Sequence, residues 1–140
     1  TAWQEEIAER GSWDVTLMDN QGDEHVKIRP DRGDIWLVNL NPTLGHEQQG
    51  KRPCLVISVN PLNHGPAELA IVLPITSVRK GIPSHVLITP PEGGLKNPSY
   101  VKCEDIRSLS TEARFVERWG RVSESTMQAV ESRLRLLLAL

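Results

Sequence analysis

Residues 32–53 read RGDIWLVNLNPTLGHEQQGKRP, and this stretch decides the fold of the chain. In residues 34–40 apolar side chains occupy both faces of an extended chain, which predicts a strand buried on both sides. Residues 41–52 have no apolar period and are rich in glycine and polar side chains, so we predict a loop of about 12 residues there. Loops of this length in compact domains are often functional.

Further strands are predicted on the C-terminal side of this stretch. Their apolar runs are separated by proline and glycine, which is typical of a small β-rich domain. We predict strands at residues 53–60, 69–76, 85–89 and 100–104, a turn at 61–66, and extended segments at 107–109 and 115–121.

The end of the chain changes to a helical period. One stripe of a helix is formed by Met127, Val130, Leu134, Leu137 and Leu138. Residues 125–128 resemble a capping box that begins at Ser125, and Glu131 and Arg135 have the spacing of a helical ion pair. Several strands closed by a final helix predict a β-rich α+β fold, namely a small, partly open barrel with the helix packed on it.

Length and composition exclude several classes of protein. The chain has 140 residues, of which 39% are hydrophobic and 24% charged, so one domain with an ordinary core is expected and wholesale disorder is not. No apolar run approaches the ~20 residues of a membrane helix, and the acidic first residues do not match a signal peptide. Two cysteines cannot form a disulfide scaffold, and no Cys/His cluster has zinc spacing. We therefore expect a cytoplasmic protein that contacts no membrane, and no sequence motif indicates a metal or cofactor site.

The net charge of −2 is unevenly distributed. Residues 1–31, here called the leader, hold eight acidic and three basic side chains, which gives −5, whereas residues 32–140 carry +3. A mildly basic body permits nucleic-acid binding without proving it. Within the leader we predict a short helix at 3–10 and a hairpin at 13–29. The break at 29–33 predicts the boundary between an acidic N-terminal extension and the main domain at 32–140.

The densest polar cluster in the sequence is the loop at residues 45–52. The guanidinium of Arg52, at the rim of a strand, matches a phosphate group bidentately, although an arginine there is also often a solvated surface charge. His46 could exchange protons near neutral pH or lie idle in solvent. Glu47 could contact a ligand or cap a turn.

Two further groups could complete a site. Thr76 and Ser77 follow an apolar strand, where their hydroxyls could bind a phosphate or simply begin a turn. Lys102 and Glu104 alternate with apolar residues and are expected to share one face of a strand, either at a site or as surface ion-pair partners. The remaining histidines match no ligand spacing, and Cys54 is expected to be a buried, inert thiol.

These clusters together resemble the N-terminal part of the sequences of a known protein family. The segments RGDIW at 32–36 and GHEQQGKRP at 45–53 closely resemble the MazF/PemK/Kid toxins, the ribonuclease halves of bacterial toxin–antitoxin pairs. The segment PITS at 74–77, the strand region at 100–109 and the terminal helix fall where that family has them. The resemblance covers residues 32–140, and the leader lies outside it.

The resemblance implies an SH3-like barrel that forms a homodimer with an RNA groove at the dimer interface and is inhibited by a cognate MazE/PemI-like antitoxin. It implies cleavage of single-stranded mRNA at a short sequence without a metal. The essential Arg and hydroxyl residue of the family match Arg52 and Thr76. The Kid branch adds a His and a basic–acidic pair, which match His46, Lys102 and Glu104, although that branch has Arg and Asp in the last two places.

The implied chemistry suits these residue types, because RNA supplies its own nucleophile in the 2′-OH. Arg52 would stabilise the charged phosphorane and protonate the leaving 5′ oxygen, and Thr76 would bind a non-bridging oxygen. His46 or Glu104 would assist removal of the 2′-OH proton. The expected products carry a 2′,3′-cyclic phosphate and a 5′-OH. The residues expected to support the site or contact RNA bases are Glu47, Gln48 and Ser77.

Two other functions and three roles for the leader stay open at this point. The same fold also serves toxins that bind and poison DNA gyrase, which would not need Arg52 and Thr76, and a third possibility is an RNA-binding barrel without activity. The leader could be an extra helix and hairpin packed on the barrel, a poorly ordered segment, or an acidic, antitoxin-like segment that lies across the basic groove.

Overall fold

A computed structural model of the chain describes residues 27–41 and 50–140. Most of the structure predicted for the leader, and the loop residues 42–49, lie outside the described residues. The described part contains an antiparallel sheet with the strand order β4-β5-β3-β2-β1-β7, in which β6 also pairs with β3. The strands are β1 (Asp34–Asn39), β2 (Lys51–Val56), β3 (Leu69–Thr76), β4 (His85–Ile88), β5 (Ser99–Lys102), β6 (Arg107–Ser110) and β7 (Phe115–Arg121).

Three α-helices accompany the sheet in this part of the chain. They are α1 (Asn60–Asn63), α2 (Thr111–Arg114) and α3 (Glu124–Leu138), and a 3₁₀ turn occupies Glu92–Gly94. The sheet does not close on itself, since β4 and β7 lie at the two ends of the strand order. This confirms the predicted β-rich, partly open barrel with a C-terminal helix.

Strand β1 is buried on both faces, as its sequence predicted. Ile35 and Leu37 belong to the main core, which also receives Val130 of α3. Trp36 and Val38 face the other way and pack in a second core with Phe115, whose ring centroid lies 5.6 Å from that of Trp36. The chain thus covers both faces of this strand by itself.

The segment Arg32-Gly33-Asp34 forms a structural corner where β1 begins. The Arg32 guanidinium donates to the Ile57 carbonyl and pairs with Glu131 of α3. Gly33 has a φ of 93°, in the left-handed region that favours glycine. The buried Asp34 carboxylate accepts hydrogen bonds from the Asp31 amide at 2.9 Å and the Trp36 indole at 3.2 Å. These contacts join the first strand to the end of β2 and to α3.

A close backbone crossing joins the 3₁₀ turn to β7. A Cβ atom at Gly94 would collide with the Trp119 carbonyl oxygen, and one at Gly120 would lie 2.5 Å from the Gly93 carbonyl carbon. Because backbone atoms cannot move aside as a flexible side chain can, only glycine fits at these two positions.

Helix α3 begins earlier than the sequence pattern indicated. The N-cap is Ser123, whose Oγ accepts a hydrogen bond from the Thr126 amide at 3.2 Å, so the predicted cap at Ser125 is wrong. The Glu92 carboxylate also accepts from the Ser123 amide at 3.2 Å, which places a negative charge at the positive end of the helix. Glu131 forms an ion pair with Arg32 of the barrel and not with Arg135, the partner that the helical spacing predicted.

The apolar stripe of α3 is only partly used. Val130 is buried, and Met127 and Leu134 pack against the main core. The predicted stripe continues to Leu137 and Leu138, but these side chains are 46% and 50% exposed because the last turn extends past the sheet. An apolar tip therefore remains at the end of the helix.

Strand β2 is shorter than predicted at its C-terminal end. It ends at Val56, and the segment expected to be its end and a turn instead contains the short helix α1. Pro61 lies in the first turn of that helix, where a proline ring is compatible with helical geometry.

Residues 27–31 pack against the barrel instead of standing apart from it. Lys27 Nζ donates to the carbonyls of His64 and Gly65 at 3.3 Å, and the Ile28 amide donates to Glu112 at 3.3 Å. His64 Nε2 lies 2.9 Å from the Pro30 carbonyl oxygen. The predicted boundary near Pro30 therefore falls within a segment that contacts the main domain. Among the described residues, no helix combines the length and apolar character that a membrane span needs.

Candidate active site

The register of β2 and β3 brings Arg52 and Thr76 to adjacent positions. Cys54 lies opposite Pro74, and Leu55 opposite Leu73. The paired residues end at Cys54 and Pro74. The alternation of side chains puts Arg52 and Thr76, two residues further on each strand, on the same face of the sheet, where an unbroken register would make them opposite. Side chains directly opposite each other have Cβ atoms about 4.5–5.5 Å apart, so a guanidinium and a hydroxyl here can reach the same phosphate.

Arg52 and Thr76 are each oriented by a hydrogen bond to the backbone, and each side chain keeps a donor that can bind a ligand. Arg52 Nη1 donates to the Lys51 carbonyl at 3.0 Å, and Arg52 lies opposite the fully buried Val38 of β1. A guanidinium has five N–H donors, so others can bind an anion. Thr76 Oγ1 accepts from the Val78 amide at 3.1 Å, which orients the hydroxyl while its hydrogen can point towards a ligand.

The same face continues across β5 and β4. Tyr100 lies opposite Thr76 on one side and Leu87 on the other, and Lys102 lies opposite His85. Leu87 is 53% exposed, so an aromatic ring and an aliphatic side chain stand together on the surface next to Thr76. Neither Tyr100 nor Leu87 was singled out from the sequence, because their position depends on strand register and not on a local motif.

Lys102 belongs to a second polar cluster at the far end of β5. Its Nζ lies 3.7 Å from Asp105, and Asp105 also accepts two hydrogen bonds from Arg107, at 3.0 and 3.1 Å. Lys102 is two residues further along β5 than Tyr100, which faces Thr76. The register thus puts Arg52 and Thr76 on one face of the sheet, and Lys102 lies in a polar cluster at the end of β5.

Glu104 lies in the turn after β5. Its predicted place on the strand is therefore wrong. Its carboxylate accepts from Ser84 Oγ at 2.9 Å and lies 3.1 Å from His85 Nε2. Partial burial opposes ionisation of Glu104, but the hydrogen bonds from its own backbone amide, Ser84 and His85, together with the charge of His85, lower its pKa below the ordinary value. His85 had been dismissed from the sequence because it matches no ligand spacing.

The other predicted site residues divide into two groups. Ser77 follows Thr76 in a partly buried bend at the end of β3, next to the Arg52–Thr76 pair. The predicted loop residues lie outside the described residues, and they are His46, Glu47 and Gln48.

The two cysteines are buried, as expected for Cys54. Burial raises the pKa of both thiols, to about 11 for Cys103, where the neighbouring Glu104 charge adds to the effect. A thiol with a raised pKa is a poor nucleophile at neutral pH. Within residues 27–41 and 50–140, no three side chains of His, Cys, Asp or Glu are grouped as metal ligands would be.

Known proteins resemble this chain along most of its length. Endoribonuclease PemK from Escherichia coli is 37% identical over 109 residues, which cover 77% of this chain and 81% of that protein. The crystal structure of MazF from Deinococcus radiodurans superposes with a TM-score of 0.72 at 31% identity and covers 84% of this chain and all of that one. A MazE–MazF complex from the same organism gives a TM-score of 0.66 at 31% identity and covers 80% of this chain and 97% of that one.

The open barrel and its matches define a small β-barrel toxin. A family model described as the PemK-like, MazF-like toxin of type II toxin–antitoxin systems matches residues 31–138. The chain belongs to this family.

Proposed function

We propose that the chain is the endoribonuclease of a type II toxin–antitoxin pair and that it cleaves single-stranded mRNA at a short sequence without a metal ion. The observation that carries this proposal is the register of β2 and β3, whose continuation beyond the Cys54–Pro74 pair puts Arg52 and Thr76 on the same face of neighbouring strands. The relatives named endoribonuclease support the activity.

The reaction is an in-line displacement at phosphorus. The 2′ oxygen forms a bond to phosphorus, the bond from phosphorus to the 5′ oxygen breaks, and a 2′,3′-cyclic phosphate results. The 2′-OH gives up its proton to an acceptor, and the leaving 5′ oxygen takes up a proton to become a 5′-OH. Arg52 neutralises the charge that develops on the non-bridging oxygens, and Thr76 donates a hydrogen bond to one of them.

The surface around this pair suits single-stranded RNA. Tyr100 offers a ring on which a base can stack, and Lys102 offers a positive charge for the backbone. The proton acceptor is Glu104 or His46, and the residues that assist in binding RNA are Glu47, Gln48 and Ser77.

The partners follow from the same relatives. The MazE–MazF complex is a toxin bound to its antitoxin, and we propose a MazE/PemI-like antitoxin and a homodimeric state for this chain. Because the substrate is cellular mRNA, the protein acts in the cytoplasm.

The test is incubation of the full chain with long single-stranded RNA in EDTA. We expect discrete cuts whose ends carry 2′,3′-cyclic phosphate and 5′-OH, and mapping the new 5′ ends gives the recognised sequence. Arg52→Ala should keep the fold and lower cleavage about 10²–10³-fold, the usual loss when one donor to a transition state is removed. Lys51→Ala is the matched control, because Lys51 is the adjacent cation on the opposite face of the strand.

Two results would contradict the proposal. Cleavage near the wild-type rate by a folded Arg52→Ala protein would exclude the mechanism. Intact RNA combined with inhibition of DNA supercoiling by gyrase would favour the gyrase-binding alternative.

A further inference from the structure

The start of β4 holds the Glu104 carboxylate from two sides. Ser84 Oγ donates to Oε1 at 2.9 Å, and His85 Nε2 lies 3.1 Å from Oε2. A further link comes from the Cys103 amide, which donates to the Ser84 carbonyl at 3.2 Å and ties the Glu104 turn to β4. Each carboxylate oxygen therefore has a fixed partner, Ser84 just before β4 or His85 at its first position.

The His85 ring is buried although its position in the sheet is on the outer face. Its side chain is only 3% exposed, and Nδ1 has no hydrogen-bond partner among the described residues. Burying an unpaired ring nitrogen lowers stability, so this arrangement is not explained by stability alone. With Nε2 engaged by Glu104 and the ring out of solvent, His85 does not touch RNA itself.

The charge around Glu104 comes from few groups. His85 faces it from the start of β4, and Ser84 faces it from the turn before that strand. From the segment after β5, Lys102 and Arg107 are both engaged with Asp105. From α3, the charge of Arg133 acts on the adjacent Cys103. Among the described residues, Ser84 and His85 are thus the side chains that bind the carboxylate directly.

We propose that His85, assisted by Ser84, is a positioning residue that keeps Glu104 ionised and oriented as the acceptor of the 2′-OH proton. This inference rests on the proposed function. Of the two proton acceptors proposed above it concerns Glu104, and it gives His85 a part in the reaction that its isolated place in the sequence does not indicate. Loss of either donor leaves a carboxylate that is easier to protonate. As the pH is lowered, activity should therefore be lost at a higher pH than in the wild type.

The experiment measures kcat for RNA cleavage across the acid range in four variants. His85→Phe and Ser84→Ala each remove one donor, and His85→Gln keeps an N–H at that position. His64→Phe is the matched control, because His64 Nε2 also pairs with a carboxylate, that of Asp31 at 3.0 Å, away from the site. In parallel, NMR titration of ¹³C-labelled glutamate side chains, with the Glu104 signal assigned through Glu104→Gln, reads the same ionisation without any cleavage.

We expect His85→Phe and Ser84→Ala to raise the Glu104 pKa by about one unit, the scale of effect of a hydrogen bond to a carboxylate. The midpoint of the acid-side fall in kcat should move to a higher pH by the same amount. His85→Gln should recover part of the shift, and His64→Phe should cause none. KM should change little, because the two donors do not bind substrate.

Unshifted titration of Glu104 in folded His85→Phe and Ser84→Ala proteins would overturn the inference. So would a shifted Glu104 pKa with an unmoved acid limb, which would mean that the pair serves structure only. Should His85→Phe fail to fold, Ser84→Ala and His85→Gln give the same decision. A wild-type protein that cuts no RNA would refute the proposed function itself, and it would be recognised as such because the glutamate titration needs no cleavage.

Discussion

Thr76 has a hydroxyl whose contribution can be separated from its shape. Thr76→Val keeps the β-branched form of the side chain and removes the donor to the phosphate. We expect cleavage to fall about 10–100-fold, as expected for the loss of one hydrogen bond to a charged group. Thr76→Ser should retain most of the activity. Single-turnover cleavage of a short RNA measures both, and a smaller loss in Thr76→Val than in Thr76→Ser would show that the methyl group matters more than the hydroxyl.

Tyr100 is expected to contribute to binding and not to chemistry. Stacking of one base on an aromatic ring is worth about 1–3 kcal/mol, so Tyr100→Ala should weaken the binding of a 2′-deoxy, uncleavable oligonucleotide about 5–100-fold. Tyr100→Phe should bind like the wild type, because the ring is kept. Fluorescence anisotropy gives the Kd values. Equal binding by the wild type and Tyr100→Ala would remove this ring from the RNA surface.

Cys54 and Cys103 should be unreactive in the folded protein near neutral pH. Both thiols are buried and have raised pKa values, about 11 for Cys103 against an ordinary value of 9.0. A raised pKa stabilises the fold below pH 9, and this contribution is lost as pH rises from about 9 to 11, because the unfolded state then releases its proton first. Thiol titration with and without denaturant, and Tm values across that range, test the two statements. Rapid labelling of the native protein at neutral pH would contradict them.

The sequence predicted the central pair of the site but not its surroundings. Arg52 and Thr76 stand in recognisable segments next to a proline and a second hydroxyl. His85 and Tyr100 have no such local signal. His85 gains its role from Glu104 in the turn after β5, and Tyr100 gains its role from Thr76 on β3. Contacts of this kind, between residues distant in the sequence, cannot be derived from local patterns alone.

Among the elements, helix α3 offers a direct comparison of two serines. Ser123 caps the helix, whereas Ser125 lies in its exposed first turn. Ser123→Ala should lower the free energy of unfolding by about 1 kcal/mol. Ser125→Ala should be nearly neutral. Denaturant titrations of both variants provide the measurement, and the reverse order of the two effects would restore the capping box that the sequence pattern suggested.

Element boundaries were predictable where apolar runs were bounded by clear breaks. The bounds of β3 agree with the predicted strand, which is followed by polar residues, and those of β7 agree with the extended segment predicted at 115–121. The boundaries of β2 differ from the predicted strand at 53–60. The strand begins with Lys51 and Arg52, whose polar side chains are typical of the preceding loop. The cap of α3 was missed because Glu92, remote in the sequence, also binds the Ser123 amide.

For the whole molecule, we expect a homodimer in solution. The apolar strands do not require a second copy, because the chain covers both faces of β1 itself. The apolar end of α3 and the residues after it are not covered by the chain itself, since Leu136 is 76% and Leu140 84% exposed. This surface is available to a second copy. Light scattering at micromolar concentration should give twice the mass of the chain. A monomer that still cleaves RNA would contradict this prediction.

Deletion of the leader tests both its role and the domain boundary. We expect a protein lacking residues 1–30 to remain a folded, dimeric nuclease. It should have a lower Tm than one lacking residues 1–26, since it also loses the contacts of Lys27 and Ile28 with the barrel. Faster RNA cleavage by either protein than by the full chain would support an inhibitory leader. An unfolded product of the longer deletion alone would move the boundary to residue 27.

The crossing of the 3₁₀ turn over β7 has a genetic consequence. A gene for a growth-arresting toxin selects for its own inactivation, and colonies that survive its expression carry the mutations that disable it. Gly94 and Gly120 are encoded by codons at which most single-base changes introduce a side chain, and any side chain there meets backbone atoms. Sequencing survivors should therefore recover these two glycines alongside Arg52, with the glycine alleles depleted of protein in the cell and the arginine alleles present at normal abundance.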